Sequence, residues 1–210
     1  MLLMDLHTHS SFSYDAATLP EELVGKAYDK GVRMLALTDH DNLAGIKYFL
    51  KAAKERPDLI AVPGVELSKH DDIEILALGI KNPSAFSRYM DHKNPSMEDM
   101  VKHALAMRAI PVLAHPGRLG LSGAKLEKFI LQLKGYGLMG LECFHPDNPK
   151  AHAAELAVLA KRHGLLATCG SDYHGYLEPN RILGHFGAGD WENCAALAHT
   201  FGFIKNWIEK

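Results

Sequence analysis

Two rhythms of apolar and polar residues alternate along this chain. Leu2 to Leu6 is a short apolar run, broken by Asp5 and stopping at His7-Thr8-His9, which suits a buried strand. Helical spacing follows: Leu23, Val24, Ala27 and Tyr28 share one face, Thr18-Leu19-Pro20-Glu21 has the form of a capping box, and Gly31 closes the element. Val32 to Thr38 predicts the next strand, ending in Asp39-His40-Asp41, and Leu43 to Lys54 the next helix. Leu59 to Val65, running into Glu66, and Ile73 to Ile80, beyond a polar turn at His70, Asp71 and Asp72, predict two more strands. A helix is expected from Ser96, with Asp99 at the capping-box distance, to about Met107, with Met97, Met100 and Leu105 in the core.

The second half repeats the rhythm. Ile110 to Ala114 runs into His115-Pro116-Gly117-Arg118, Gly140 to Phe144 into His145, and Leu165 to Thr168 into Gly170-Ser171-Asp172-Tyr173-His174. Helices over Lys125 to Tyr136 and Lys150 to His163 separate them. About seven strands, nearly all followed by a helix, predict an α/β fold, either a barrel or a mostly parallel sheet. Lys81 to Pro95 and Gly175 to Asp190 carry no period and are candidates for loops over a site.

Polar residues of one kind gather where strands end: His7, His9, Asp39, His40, Glu66, His115, Glu142, His145, Asp172 and His174. In a parallel barrel those ends converge on one rim, so residues distant in sequence meet in a mouth. Imidazole nitrogen and carboxylate oxygen are the ligand set of Zn, Mn or Fe, and this set exceeds what one tetrahedral ion can use. Alone, each element has a plainer reading. An HxH pair can be a surface accident, His40 a turn residue with Asp39 or Asp41 capping the next helix, and Glu142 either a site-lining or a barrel-interior carboxylate. Their shared placement at strand ends is what favours a metal centre. His70, His92, His103, His152, His163, His185 and His199 lack that placement, and His103, His152 and His163 are assigned to helix surfaces or ends.

Composition narrows the field. With 210 residues, 47% of them hydrophobic and 23% charged, the chain is expected to form one domain, 1–210, with a real core. A net charge of -2 without charge blocks argues against a broad surface for duplex nucleic acid or for a membrane, while leaving a short single strand open. Cys143, Cys169 and Cys194 are odd in number and widely spaced, and are read as buried thiols. The opening Met-Leu-Leu-Met-Asp reads as neither signal peptide nor spanning helix, so a cytoplasmic protein is expected.

The motifs HTHS, TDHD, GVE, AHPG and GSDYH, in that order from Asp5 to about His174, resemble those of the PHP (polymerase and histidinol phosphatase) family. The resemblance implies a distorted seven-stranded (β/α)7 barrel with up to three metals at the strand C-termini. His7 and His9 would hold the first with Asp172, Glu66 would bridge to a second held by His115, and Asp15, His40 and His174 would hold the third. Glu74 stands where close relatives usually carry histidine; as a ligand it would shift the second site toward Mn or Fe, and otherwise it is a solvent-facing strand residue. The helical insertion common in such relatives is replaced here by Lys81 to Ala109 alone.

The activity expected is hydrolysis of a phosphate ester of a small metabolite or nucleotide, with two or three divalent ions acidifying a water. Arg118 is expected to grip a phosphate oxygen, the alternative being a surface salt bridge, and His145 to protonate the leaving oxygen or contact the phosphate. An exonuclease acting on short nucleic acid is less favoured, because no basic and aromatic strip is visible. A non-catalytic regulatory metal module and a hydrolase of C–N or C–O bonds are the remaining alternatives.

Overall fold

The computed structural model of the chain describes residues 3–70, 73–186 and 195–210; Asp71, Asp72, the His70 side chain, Cys194 and the last residues of the Gly175 to Asp190 stretch lie outside the described residues. In chain order the elements are β1 (Leu3–Asp5), α1 (Pro20–Asp29), β2 (Val32–Leu37), α2 (Ile46–Ala53), β3 (Ile60–His70), β4 (Ile73–Leu78), α3 (Phe86–Asp91), α4 (Met97–Ala106), β5 (Ile110–Leu113), α5 (Gly123–Tyr136), β6 (Gly140–Phe144), α6 (Lys150–Arg162), β7 (Leu166–Cys169) and α7 (Ala195–Glu209). The strands form one sheet in the order β1 to β7.

Pairing is parallel except around β4, which runs antiparallel to both β3 and β5. The reversal follows from chain length: only two residues separate His70 from Ile73, enough for a hairpin and far too few for a parallel crossover. A fully parallel barrel therefore fails at one strand. The consequence is functional, because the N-terminal end of β4, with Glu74, lies at the rim where the other strands end.

The outer strands meet beyond their regular ends. The Leu6 amide donates to the Cys169 carbonyl at 3.0 Å, the Asp172 amide to the His7 carbonyl at 2.9 Å, and the His9 amide to the Tyr173 carbonyl at 2.9 Å. Thr8 and Tyr173 form a parallel bridge. The sheet thus curls into a distorted barrel whose seam runs through the first and last histidine motifs.

Apolar strand residues such as Met34, Val62, Ile75, Val112 and Leu141 pack with Met100, Ile130 and Leu156 of the helices in one buried cluster. Leu141 and Cys143 belong to that cluster, so strand alternation turns Glu142 to the opposite face, into the barrel. The Ser96–Asp99 capping box forms as expected. The one at Thr18 does not: Leu19 is the N-cap without a side-chain bond, and the Thr18 hydroxyl pairs with that of Tyr173 at 3.2 Å. Leu105 is 38% exposed, lying off the buried stripe of Met100, Val101 and Ala104. Lys81 to Pro95 contains α3, and α7 matches no predicted element. Thr200 of α7 donates to the Ala167 carbonyl at 2.7 Å, and Trp207 Nε1 to the Gly79 carbonyl at 2.9 Å. Among the described residues no helix is long and apolar enough to cross a membrane.

Candidate metal centre

Side chains at or near strand ends meet in one buried cluster, with two exceptions in placement: Glu66, expected where its strand stops, lies inside β3, which pairs with β4 and runs on to His70, and Glu74 stands at the start of β4. His7 and His9 project from the extension of β1, two residues apart and hence on the same side. His7 Nε2 lies 3.1 Å from His9 Nε2, 3.0 Å from Glu66 Oε2 and 3.4 Å from Asp172 Oδ1. His9 Nε2 is 3.2 Å and 3.3 Å from the same two oxygens. The ligating atoms of these four buried residues all lie within 4.8 Å of one another.

Further groups among the described residues share members with the first, one of them through His9 and another through Glu66. His40 Nε2 and His174 Nε2 each lie 3.4 Å from Asp15 Oδ2. Glu66 Oε1 and Glu74 Oε2 lie 3.1 Å and 3.0 Å from His115 Nε2, and His40 Nδ1 is 3.7 Å from Glu74 Oε1. All nine residues expected as ligands therefore meet at one rim, Glu74 included. His9 Nδ1 and His40 Nδ1 are buried without a hydrogen-bond partner. Convergent imidazole nitrogens and carboxylate oxygens, with orphaned ring nitrogens among them, fit divalent cations, and the N/O donor set suits Zn, Mn or Fe.

The electrostatics of the cluster's own side chains agree with that chemistry. Burial alone would push His7 down, but the carboxylates of Glu66, Glu142 and Asp172 hold it well above its ordinary value. The same contest leaves His9 and His174 raised, and His115, bonded to Glu66 and Glu74, raised to about 9. Glu66 and Asp172, which burial would raise, are instead driven well below the usual carboxylate range by the imidazoles around them. A histidine with a raised folded-state pKa stabilises the fold fully below about pH 6.5 and loses that contribution as pH rises through its folded value. The metal-free protein is therefore expected to melt several degrees lower at pH 9 than at pH 6.5. Metal uptake should release protons and tighten across the same window. A pH-independent melting point of the apoprotein, followed by calorimetry, would contradict this account.

Buried carboxylates behind the cluster hold it in place. Glu142 accepts from His7 Nδ1 at 3.1 Å and from the His115 amide at 2.7 Å, so it is a barrel-interior carboxylate that also touches the cluster. With Nδ1 as donor, the neutral His7 ring turns its Nε2 lone pair into the cluster. Glu142→Gln keeps an acceptor for one of those donors but faces the other with an NH2 group. The variant is expected to bind Mn roughly 10- to 100-fold more weakly in equilibrium titration. Asp39 caps no helix; it accepts from the Ser10 amide at 2.6 Å and the Ser10 hydroxyl at 2.8 Å. Asp41 accepts from the Ser68 amide and from the Tyr89 hydroxyl. Three non-glycine residues of this rim, Asp41, His115 and Asp172, adopt positive φ, a local strain typical of functional sites.

Four contributors carried no signal at strand ends. Asp5, raised to about 6 by burial, accepts from the Ser171 amide and hydroxyl and the Gly184 amide. Its position inside an apolar run was the available clue. Asn148 accepts from the Gly117 amide at 2.8 Å and donates to the Glu142 carbonyl at 2.9 Å, joining two rim loops. Asp147 and Arg181 form the third and fourth: Asp147 Oδ2 accepts from Arg118 Nε at 2.8 Å and from Arg181 Nη2 at 2.7 Å.

Arg118 sits at the mouth, where its Nη2 donates to Asp172 Oδ2 at 2.7 Å and its Nη1 lies 3.2 Å from His115 Nε2. His145 is buried, its Nε2 3.4 Å from Asp172 Oδ2. The other described histidines stay outside the cluster. His103 lies beside His92 on α4, His152 faces Glu155 on α6, and His163 caps α6 beside Glu127.

Proteins similar to this chain in sequence include phosphate-ester enzymes. The 3',5'-nucleoside bisphosphate phosphatase of Chromobacterium violaceum is 26% identical, over 88% of this chain and 92% of its own. The 5'-3' exoribonuclease of Haemophilus influenzae is also 26% identical, over 85% of this chain and 93% of its own. A solved structure of an amidohydrolase from Chromobacterium violaceum with bound sulfate shares the fold, with a TM-score of 0.75, 24% identity and coverage of 87% of this chain and 90% of that one. Its fold, its motif order and a sequence model of the PHP domain that matches residues 5–201 agree: the chain belongs to the PHP domain family.

Proposed function

We propose that this chain is a single-domain, metal-dependent phosphoesterase that hydrolyses a phosphate ester of a small metabolite or nucleotide, in the cytoplasm. The convergence of His7, His9, Glu66 and Asp172, with Arg118 at its edge, carries the reading. His7, His9, Glu66 and Asp172 would hold one divalent ion, Glu66, Glu74 and His115 a second, and Asp15, His40 and His174 a third. Bound there, Mn, Fe or Zn ions would acidify a water and offset the charge of the phosphoryl group.

The protein's own side chains supply the rest. Arg118 would exchange its contacts with Asp172 and His115 for a phosphate oxygen while its Nε stays on Asp147. Burial pushes His145 down, and the Asp147 amide donates to its Nδ1 at 3.0 Å, so the neutral ring carries its proton on Nε2. That N–H would donate a hydrogen bond to a phosphoryl oxygen and so help to hold the group in place. In the reaction a water oxygen bonds to phosphorus, the ester P–O bond breaks, and the leaving oxygen takes up a proton.

The test is phosphate release by Mn-reconstituted protein across phosphomonoesters, nucleotides, nucleoside bisphosphates and short oligonucleotides, with a chelated control. Release that chelation abolishes supports the proposal; no release from protein shown to carry metal overturns it. A second reading, trimming of short single strands, draws on Tyr14, which is 83% exposed and stacked 5.2 Å from His40 as a flat surface for a base. Binding of a fluorescent oligonucleotide distinguishes the two.

A further inference from the structure

Arg181 lies seven residues beyond the last rim motif, yet its side chain is only 12% exposed. Its Nη2 shares Asp147 Oδ2 with Arg118 and lies 3.7 Å from Asp172 Oδ2, its Nε contacts Glu178 at 3.3 Å, and its Nη1 is buried with no hydrogen-bond partner. Two guanidinium groups thus meet on one carboxylate oxygen at the edge of the cluster, and one of them keeps an unsatisfied donor. Buried donors rarely go without an acceptor, and here the missing one would arrive with a ligand.

Charge decides what kind of ligand. If Asp172 and Glu74, the latter 3.7 Å from Arg118 Nη1, are both committed to cations, as the proposed function has it, Arg118 and Arg181 share Asp147 as their remaining rim carboxylate, and Glu178 is half exposed. Two positive charges then face one partly exposed negative charge. A terminal phosphomonoester brings nearly two negative charges at neutral pH and three unesterified oxygens, enough for both guanidinium groups. A diester brings one charge and two such oxygens, and its second ester group would stand where the third oxygen is needed. We infer that Arg181, yoked to Arg118 through Asp147, is a specificity residue that selects terminal phosphomonoesters over phosphodiesters.

This inference rests on the proposed phosphoesterase activity, so the test has one arm that requires turnover and one that does not. In Mn-loaded protein, Arg181→Gln should lower kcat/KM for p-nitrophenyl phosphate roughly 10- to 100-fold. Its kcat/KM for bis(p-nitrophenyl) phosphate should change by less than about threefold, and Arg181→Lys, which keeps the charge but not the planar fork, should fall between. By calorimetry, methyl phosphate should bind the Gln variant about tenfold more weakly, with dimethyl phosphate unaffected. Equal losses for both ester classes, no loss for either, or a fall in bound Mn would overturn the assignment. A wild-type protein inert toward both esters would defeat the phosphoesterase reading alone, and the methyl phosphate comparison would still judge Arg181.

Discussion

Asp172→Ala is expected to lower phosphate release by at least about a thousandfold and to strip bound Mn, while circular dichroism stays that of a folded α/β protein. One carboxylate stands at the junction of several functional groups. Its Oδ1 faces His7 and His9, and its Oδ2 faces His145 and Arg118. Removing it costs a ligand oxygen and also frees Arg118, which would fall back on Asp147. Supports behind a metal ligand are worth one to two orders of magnitude, so a ligand that also anchors the phosphate clamp should exceed them. Asp172 has a φ of +53°, a conformation that alanine tolerates less well than Asp or Asn. Asp172→Asn therefore separates backbone strain from lost charge: it should melt close to wild type and remain inactive. Full activity in either variant would end the metal-ligand assignment.

The largest loss of stability is expected from Gly170→Ala. A Cβ at that position would lie 2.2 Å from the Cβ of His7, 2.4 Å from Glu142 Oε1 and 3.0 Å from the His7 nitrogen. None of these atoms can retreat cheaply. The His7 backbone belongs to the seam that closes the barrel, and Glu142 is held from the other side by the His115 amide. Overpacking of this kind costs about 3 kcal/mol or more. For a domain of this size that is a fall of roughly 6–12 °C in melting temperature. Metal binding should fail with it, since His7 and Glu142 are both displaced. Gly135→Ala, in the last turn of α5 with nothing within 4 Å of the added carbon, is the control and should stabilise slightly. Similar melting points for the two variants would refute the role given to Gly170.

What the amino-acid sequence determined is whatever local physics specifies. The strand and helix rhythm follows from side-chain period, and the Ser96 cap from its own short-range bonds. The histidines and carboxylates could be assigned to one rim because strand ends are legible wherever an apolar run stops at polar residues. Glu74 could be flagged at the opening of its strand. Three things needed the third dimension. The reversal of β4 turned a residue at a strand's beginning into a member of a cluster made of strand ends. The partners of Glu142, whether the mouth or the interior, depended on which face of β6 met the apolar cluster. The yoking of Arg118 and Arg181 by Asp147 depended on three separate rim loops, whose contacts span 29 and 34 positions of sequence. Periodicity reports which way a side chain points from its own backbone, and only the folded chain decides what it meets there.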